Sequence, residues 1–342
     1  MLLRYVTRRL LIGIIQLIAL AIAVFFIIRL LPADPVARLV GMNSSPEAYA
    51  QAASQLGLHR PVLEQLAIYL GFMPSIEPGL LQGSFGKSWV TGTPIASELG
   101  QFLPVTIELI TLSFLVALLV SVPIGMFAAL RPGGRADKGV FVYSLFAGSQ
   151  PEFWWGLLFV YVFFFQLGLA PAPLGRLSPM SMPPEAVTNF MLVDTLLAGK
   201  PELFIEALHH LMLPIVNLAF ILSGPIIKMV RQNMVRALQS DFVLYANAAG
   251  LPKGQVARYA LRAAMAPSLT LVGVLYSMML SGAVLVETVF SIGGIGQYAV
   301  RSVLALDYPA IQGVVITITA LSLLIYLGLD LIQAALDPRI AY

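Results

Sequence analysis

Long apolar runs separated by shorter polar stretches dominate the chain. Six runs reach the length of about 20 residues that a helix needs to cross a hydrocarbon core. These runs are approximately 10–31, 103–130, 140–167, 211–230, 267–286 and 311–335. None of them alternates at a period of two, and in lipid only helices or closed barrels satisfy the backbone. The pattern predicts an all-α polytopic membrane protein with six transmembrane helices.

Composition supports this prediction, since 58% of the residues are hydrophobic and only 11% are charged. We expect three parts: residues 1–31 form the N-terminus and first span, 32–102 an external segment, and 103–342 a five-helix core. The external segment contains a short helical stretch near 61–70. A cytoplasmic loop at about 231–266 lies within the core. The first apolar run is nearly a full span long, so we interpret it as a retained anchor rather than a cleaved signal peptide.

The distribution of lysine and arginine predicts the orientation. Thirteen of the 20 fall at the N-terminus, between spans two and three, between four and five, or after span six. The other seven are spread over much longer segments. Because short cytoplasmic loops carry the excess of positive charge, both termini are expected to face the cytoplasm. The formal charge of +3 requires no nucleic acid, since membrane edges with anionic lipid attract such residues.

Residue types that support bond chemistry are scarce. The chain has no cysteine, and its histidines, His59, His209 and His210, lack metal-ligand spacing, so we predict no metal site. Gly86-Lys87-Ser88 resembles the end of a phosphate-binding loop, but Leu81 stands where that motif requires its first glycine. Gly293-Gly294-Ile295-Gly296 has no βαβ pattern around it and predicts a tight external turn or a re-entrant bend instead.

The loop between spans four and five contains a predicted helix, in the sequence DFVLYANAAG. Asp241 is expected to cap a helix over 242–249, with Gly250 in the left-handed C-terminal position and Pro252 preventing continuation. Phe242, Tyr245 and Asn247 would be exposed. Composition alone fits two interpretations equally: a surface for a groove on another protein, or a helix lying in the lipid interface.

Several patches in order along the chain resemble the permeases of bacterial ATP-binding-cassette importers, in the dipeptide, oligopeptide and nickel branch. The patches are LLRYVTRRLLIGIIQLIALAIAVFFIIRLLPADPV, GSFGKSWVTGTPI, LPVTIELITL, LVDTLLAGKPELFIEALHHLMLPIVNLAF, ETVFSIGGIGQYAVRSVLALDYPAIQG and the terminal DPRIAY. The resemblance implies the type I importer transmembrane fold in the bacterial inner membrane. It also identifies the chain as the subunit type with a long first periplasmic segment.

The resemblance further implies a division of labour. A second, homologous permease would complete the pathway, two cytoplasmic ATPases would use ATP and Mg, and an external binding protein would deliver solute. This chain would bind no cofactor itself and catalyse no reaction. The family's coupling loop has the pattern Glu-Ala-Ala, three residues, then Gly; here Leu244 replaces the glutamate, and only Ala246 and Gly250 match. The predicted coupling helix comprises Asp241, Phe242, Tyr245, Ala246, Asn247 and Gly250.

Polar residues within the spans are costly in lipid unless they face a cavity or each other. We predict packing roles for Glu108 and Asp330. Gln150, Glu152 and Asn217 are candidates for the transport pathway, and Pro151 should break the helix beside them. As a hypothesis, Gln150 and Glu152 favour a cationic or amine-bearing solute. An acid at the membrane interface is the alternative interpretation of Glu152.

Two other classes of protein fit parts of the pattern. A secondary transporter or channel acting without ATPases is the main alternative, although no convincing inverted repeat is present. An intramembrane hydrolase would need paired acids or a Ser–His arrangement within the spans, and no histidine lies centrally in one.

Peptides are the leading substrate class, ahead of nickel complexes, opines and sugar-like solutes. The resemblance also implies a heterodimer, because that branch usually pairs the subunit with the long first external segment with a second, different permease.

Overall fold

The computed structural model describes residues 2–41, 44–73 and 78–336. The described residues form helices joined by loops, with one isolated β-bridge between Lys87 and Pro94. The terminal signature and Arg339 lie outside the described residues. The helices are α1 Leu2–Leu30, α2 Pro35–Val40, α3 Pro46–Gln55, α4 Val62–Leu70, a 3₁₀ turn Leu80–Gln82, α5 Ile95–Leu130, α6 Arg135–Ala147, α7 Glu152–Phe159, a π-helical segment Val160–Gln166, α8 Met191–Leu197, α9 Pro201–Leu238, α10 Asp241–Ala248, α11 Lys253–Gly282, α12 Val284–Val289, α13 Ile295–Ala305 and α14 Tyr308–Leu336.

Within the described residues, four helices are long and apolar enough to cross a membrane: α1, α5, α9 and α14. They contain four of the six predicted runs, so the all-α prediction is confirmed. The helices α5 and α9 extend well beyond the predicted limits. For α9, residues 201–210, which precede the predicted run, belong to the same helix. Pro201 occupies its first turn, where a missing N–H has no cost. Hydropathy therefore located the spans but not the helix ends.

The predicted third span is not one continuous helix. It consists of α6, a break, α7 and the π-helical segment. Pro151 causes the break because it has no amide hydrogen, and its backbone is extended, with φ −60° and ψ 152°. The predicted fifth span also differs, since α11 begins at Lys253, includes Pro267 within the helix and ends at Gly282. Shorter apolar stretches, Glu152–Gln166 and Leu271–Leu280, mark these two spans.

The segment between the first two spans contains more helix than the sequence predicted. The predicted stretch is confirmed as α4, but α2 and α3 were missed. Both begin with a clear capping signal followed by proline. The Asp34 carboxylate accepts a hydrogen bond from the Ala37 amide at 3.0 Å, and the Ser45 hydroxyl accepts one from the Ala48 amide at 3.2 Å. Side-chain caps of this kind, with proline in the first turn, start helices too short to show apolar periodicity.

The chain divides into two compact units, residues 1–105 with 293–323, and residues 106–292 with 324–342. In the first unit, a buried cluster joins the start of α5 to α13 and α14. Its members are Ile95, Leu99, Ile295, Tyr298, Ala310 and Val314. The turn before α13 is the tight turn that the glycines predicted, with Gly293 at φ +79° and Gly294 preceding the helix. Asp307, before α14, accepts hydrogen bonds from the Ser88 hydroxyl and the Trp89 amide.

In the second unit, α9 is the central helix and contacts α6, α7, α8, α10, α11 and α12. Its largest fully buried side chains are Leu211, Leu218, Ile226, Ile227 and Met234. The helix α5 approaches it closely at Gly125. A β-carbon there would lie 2.9 Å from the Val230 side chain and 3.0 Å from the Ile227 carbonyl oxygen. Glycine therefore permits a helix contact that larger residues would open.

Candidate functional site

The helix α10 occupies the loop between α9 and α11, where the coupling helix was predicted. Its start differs from the prediction, because Ser240 precedes the first helical residue and Asp241 lies in the first turn. Neither side chain caps the helix, since the Ser240 hydroxyl donates back to the Ala237 carbonyl. In this position the Asp241 carboxylate still favours the helix, because it faces the positive end of the helix dipole. The predicted cap at Asp241 is therefore wrong.

The C-terminal end of α10 has the predicted geometry. Gly250 adopts φ +75°, in the left-handed region that glycine occupies without strain. The Gly250 amide donates to the Asn247 carbonyl at 3.0 Å, and the Leu251 amide donates to the Ala246 carbonyl at 3.1 Å. This pair of bonds is a Schellman motif. It fixes the direction of the chain into Pro252, so that α10 is held as a short, separate helix.

One face of α10 is anchored in a hydrophobic cluster. Val243 is 2% exposed and Ala246 8% exposed, three positions apart on the helix. The cluster joins them to α5, α9 and α11 through Ala129, Met234, Val256, Ala260 and Ala264. Burial of Ala246 means that this residue, one of the two that match the family pattern, holds the helix in place rather than contacting a partner.

The opposite face of α10 is exposed and apolar. Phe242 is 44% exposed, Leu244 61% and Tyr245 78%. Asn247 is also exposed and adjoins this face. The sequence predicted Phe242, Tyr245 and Asn247 but did not include Leu244. The flanking helices α9 and α11 carry exposed basic residues close in sequence to α10, namely Arg236, Lys253, Arg258 and Arg262.

The break before α7 brings two of the three predicted pathway residues together. Asn217 of α9 is fully buried, and its side-chain amide donates to the Glu152 carbonyl at 3.4 Å. Gly156 lies beside the same group, since a β-carbon there would be in ordinary contact with the Asn217 amide nitrogen, at 3.4 Å. The first carbonyl of α7 thus has a side-chain donor from α9. Gln150 is exposed and makes no described hydrogen bond to either residue.

The Glu152 carboxylate lies beside Gly282, at the end of α11. A β-carbon at Gly282 would be 3.8 Å from each carboxylate oxygen. The Asn217 side-chain oxygen is buried and has no hydrogen-bond partner among the described residues. A carboxylate and an amide oxygen are both acceptors, so this part of the second unit offers acceptors to a donor that the described chain does not supply.

An aromatic cluster holds the broken span against α9. Trp155 is 3% exposed, and its ring lies 4.8 Å from the ring of Phe146 and 4.8 Å from that of Phe220. The Tyr143 hydroxyl donates to the Phe220 carbonyl at 2.7 Å. These contacts fix both sides of the break on one helix, which gives Glu152 a defined position.

Several buried acids were not predicted from the sequence, Glu287 and Glu98 among them, whereas the role of Glu108 was predicted. Glu287 of α12 is fully buried and accepts a hydrogen bond from the Thr106 hydroxyl. Glu98 of α5 accepts one from the Tyr298 hydroxyl. Glu108 has the predicted packing role: its carboxylate binds the Met191 and Leu192 amides at 3.1 and 2.8 Å and pairs with Arg176 at 3.5 Å. The sequence signal available for Glu287 and Glu98 was that each is a single acidic residue bordering an apolar run.

Comparison with known proteins agrees with this architecture. Residues 121–342 match the family described as "Binding-protein-dependent transport system inner membrane component", and residues 2–110 match its N-terminal model. The chain belongs to this family. It is a multi-pass inner-membrane protein with the type I importer permease fold, and the resemblance stated from its sequence patches is confirmed.

Three relatives of this permease cover almost its whole length. It is 36% identical to the probable D,D-dipeptide transport system permease protein of Escherichia coli (strain K12), over 96% of this chain and 95% of the relative. It is 35% identical to the di/tripeptide transport system permease protein of Pseudomonas aeruginosa (strain UCBPP-PA14), over 99% of both chains. It is 32% identical to the dipeptide transport system permease protein of Escherichia coli (strain K12), over 99% of both.

Proposed function

We propose that this chain is the permease subunit of an ATP-driven, binding-protein-dependent importer of di- or oligopeptides, working by alternating access. The observation that carries the proposal is the two-sided helix α10. Val243 and Ala246 anchor it, while Phe242 and Tyr245 remain exposed. A short helix with an anchored inner face and an apolar outer face suits insertion into a groove on another protein.

The basic residues around α10 favour a protein groove with an acidic rim. Arg236, Lys253 and Arg258 are exposed on the two helices that flank α10 in the chain. Charges at the rim of an interface steer association and fix orientation, whereas the apolar centre supplies affinity. We therefore expect each α10 to insert into one of two cytoplasmic ATPase subunits, which bind and hydrolyse ATP with Mg.

This arrangement sets the topology and the remaining partners. The excess of lysine and arginine near α10 and the N-terminus supports a topology with both termini in the cytoplasm. The segment between α1 and α5 then lies outside, where it meets the solute-binding protein. A second, homologous permease lies beside this chain to complete the pathway, and the long first segment favours a heterodimer.

The anchoring cluster explains how ATPase movement would reach the spans. Met234 of α9 and Val256 of α11 both pack in the same cluster as Val243. Since packed interiors transmit displacement rather than absorb it, a shift of α10 moves the cytoplasmic ends of α9 and α11 together. The other end of α11 is at Gly282, beside the Glu152 carboxylate. Movement at α10 is therefore linked to the candidate pathway through one helix.

The substrate class comes from the acceptor groups at the broken span and from the relatives. Glu152 and Asn217 offer oxygen acceptors, which suit the protonated amine of a peptide. The relatives are named as dipeptide or di/tripeptide permeases. A secondary transporter or channel without ATPases is the alternative, and ATP dependence of uptake separates the two.

The proposal can be tested by purifying the tagged chain from its own membranes in mild detergent and identifying the proteins that copurify. We expect two ATPases and a second permease with the wild type. The double variant Phe242→Ala with Tyr245→Ala should retain the second permease and lose at least nine-tenths of the ATPases. Phe72→Ala is the matched control, because Phe72 is 71% exposed in the first segment.

Two results would contradict the proposal. Recovery of this chain alone, with uptake in proteoliposomes that needs no ATP, would indicate a secondary transporter. Full ATPase recovery with the double variant would remove α10 as the coupling helix. Monodisperse elution and an unchanged melting temperature would show that the variant is folded, which is expected because both substituted side chains are exposed.

A further inference from the structure

The first compact unit contains a cavity of about 820 Å³ that no step of the proposed function uses. It lies where the span of α1 ends and the span of α14 begins, at Arg29 and Tyr308. The helix α4 and the loop at 84–89 complete its wall. The volume falls within the range of about 300–1,000 Å³ that is typical of small-molecule sites.

The cavity wall is basic and aromatic. Arg29, Arg60 and Lys87 line it, together with Tyr69, Trp89 and Tyr308, and no aspartate or glutamate is found among its described lining residues. Arg60 forms an ion pair with Glu64 at 2.7 Å, so its charge is already matched. The argument for a ligand therefore depends on Arg29.

Arg29 has only neutral partners among its described contacts. Its Nε donates to the Gln65 side-chain oxygen at 2.9 Å, and its Nη1 donates to the Phe25 carbonyl at 3.3 Å. The guanidinium carbon lies 3.5 Å from the centre of the Phe25 ring. Arg29 is partly buried, and a cation withdrawn from water is normally paired with a negative charge. A negative charge supplied from outside the described chain would fit here.

Two further donors in the same wall lack acceptors. Gln312 is 4% exposed, and its side-chain nitrogen is buried with no hydrogen-bond partner among the described residues. The Tyr69 hydroxyl is also buried and has no partner in that part of the chain. Buried polar atoms of this kind are rare in native proteins without a water, ion or ligand. An amide nitrogen only donates, and both groups line the cavity beside Arg29.

We propose that this cavity binds a small oxyanion, a phosphate or carboxylate, that is joined to an apolar group. The guanidinium of Arg29 would pair with the charge, Gln312 and Tyr69 would donate to its oxygens, and Trp89 and Tyr308 would contact the apolar part. Because the cavity lies at the ends of two spans, two kinds of molecule can supply the anion: a phospholipid through its headgroup, or a water-soluble solute. This site is independent of the proposed coupling and pathway residues.

Native mass spectrometry of the full chain released from lipid nanodiscs tests the proposal. One set of nanodiscs contains phosphatidylglycerol in phosphatidylcholine. A second contains phosphatidylcholine alone, with phenyl phosphate added as a water-soluble phosphate joined to an apolar group. Gln312→Glu keeps the shape of the side chain but repels an anion, and Tyr69→Phe removes one oxygen atom. Gln101→Glu is the control, because Gln101 is exposed in the same unit and does not line the cavity.

We expect the wild type and Gln101→Glu to retain the anion equally. Gln312→Glu should lower the apparent affinity at least tenfold, and Tyr69→Phe should lower it several-fold. Binding of phosphatidylglycerol but not of phenyl phosphate would assign the site to a lipid headgroup. Binding of phenyl phosphate that is weakened by the same two substitutions would assign it to a free anion. The proposal is overturned if neither anion binds the wild type, or if Tyr69→Phe and Gln312→Glu bind both anions as the wild type does.

Discussion

Arg231 of α9 holds Asp137 of α6 through two parallel hydrogen bonds, with Nη2 2.7 Å from Oδ2 and Nε donating to Oδ1. The same carboxylate accepts a hydrogen bond from the Gly133 amide at 2.8 Å. Paired donors from arginine to carboxylate are among the stronger polar contacts in proteins. Asp137 therefore links the loop before α6 to the central helix of its unit.

Replacing this carboxylate should weaken the second unit. Asp137→Asn keeps the shape of the side chain but removes the charge and one acceptor from Arg231. We expect a loss of about 1–2 kcal/mol in the free energy of unfolding, because Arg231 is partly exposed and solvent screens the pair. The measurement is thermal unfolding of the purified chain in detergent. Lys138→Gln, at the adjacent exposed position, should leave the melting temperature unchanged, and an equal effect of both substitutions would contradict the assignment.

The same pair predicts a pH dependence. Hydrogen bonds from Arg231 and from the Gly133 amide lower the pKa of Asp137 below its ordinary value of 3.8. A carboxyl with a lower pKa in the folded state stabilises that state above the unfolded pKa, and this contribution is lost as the pH falls through the folded pKa. The difference in stability between wild type and Asp137→Asn should stay constant above about pH 5 and shrink below about pH 4. If the difference in stability changed near pH 6–7 instead, a titrating group other than Asp137 would be responsible.

The sequence predicted the spans well where the length of an apolar run is enough to identify a span. The apolar run at 211–230 identified α9, but its amphipathic ends do not differ in hydropathy from loops, so the helix limits were missed. Pro151 indicated a break in the helix. The run at 140–167 was nevertheless predicted as one span, because apolar residues continue on both sides of this proline. In α2 and α3 the capping residues Asp34 and Ser45 were visible, but each helix is too short for a periodic pattern.

The candidate site was predictable to the level of one helix. The glycine at 250 and the following proline set its end, and both features are local. The beginning was assigned to Asp241, although Ser240 is an equally good capping residue by type and neither side chain caps the helix. Burial of Val243 and Ala246 depends on α5, α9 and α11, and contacts so distant in sequence cannot be read from the loop itself.

Gly250 and Gly254 form a matched pair for testing the end of α10. Gly250 has φ +75°, so Gly250→Ala forces an L residue into the left-handed region and should destabilise the chain by about 1 kcal/mol. Gly254 lies in α11, and a β-carbon there meets no atom within 4 Å. Gly254→Ala should therefore stabilise by about 0.5–1 kcal/mol. Opposite shifts in melting temperature are expected, and shifts of the same sign would contradict the geometry of this turn.

The hydrogen bond between Tyr298 and Glu98 should contribute more to stability than an exposed bond of the same type. Glu98 also accepts hydrogen bonds from the Thr91 and Thr93 hydroxyls, each at 2.6 Å. Burial and the bond to Glu98 raise the pKa of Tyr298 above its ordinary value of 10.0, so the phenol remains a donor at all physiological pH values. Tyr298→Phe should cost about 1.5–3 kcal/mol in the free energy of unfolding.

Tyr49→Phe is the matched control for this substitution. The Tyr49 hydroxyl donates to Asp34 at 2.9 Å, but Tyr49 is 39% exposed. Water replaces a lost exposed hydrogen bond, so a cost under about 0.5 kcal/mol is expected. Denaturant or thermal unfolding of both variants in the same detergent gives the comparison. Equal costs would show that Glu98 obtains a replacement donor when Tyr298 is changed.

Glu152 gives the sharpest prediction about transport. Its carboxylate lies beside Gly282, and its carbonyl is bonded to the buried Asn217. If the carboxylate meets the amine of the solute, Glu152→Gln should lower uptake of a free-amine dipeptide at least tenfold, equivalent to about 1.4 kcal/mol. Uptake of the N-acetylated form of that peptide, which has no positive charge, should change less than twofold.

The assay is ATP-dependent uptake into proteoliposomes that contain the assembled transporter and its binding protein. Glu202→Gln, at an exposed acid in the first turn of α9, is the control and should transport both peptides as the wild type does. ATPase copurification should be the same for all variants, because α10 is unchanged. Equal loss of both peptides would show that Glu152 supports the broken span structurally, and unchanged uptake of both would remove it from the pathway.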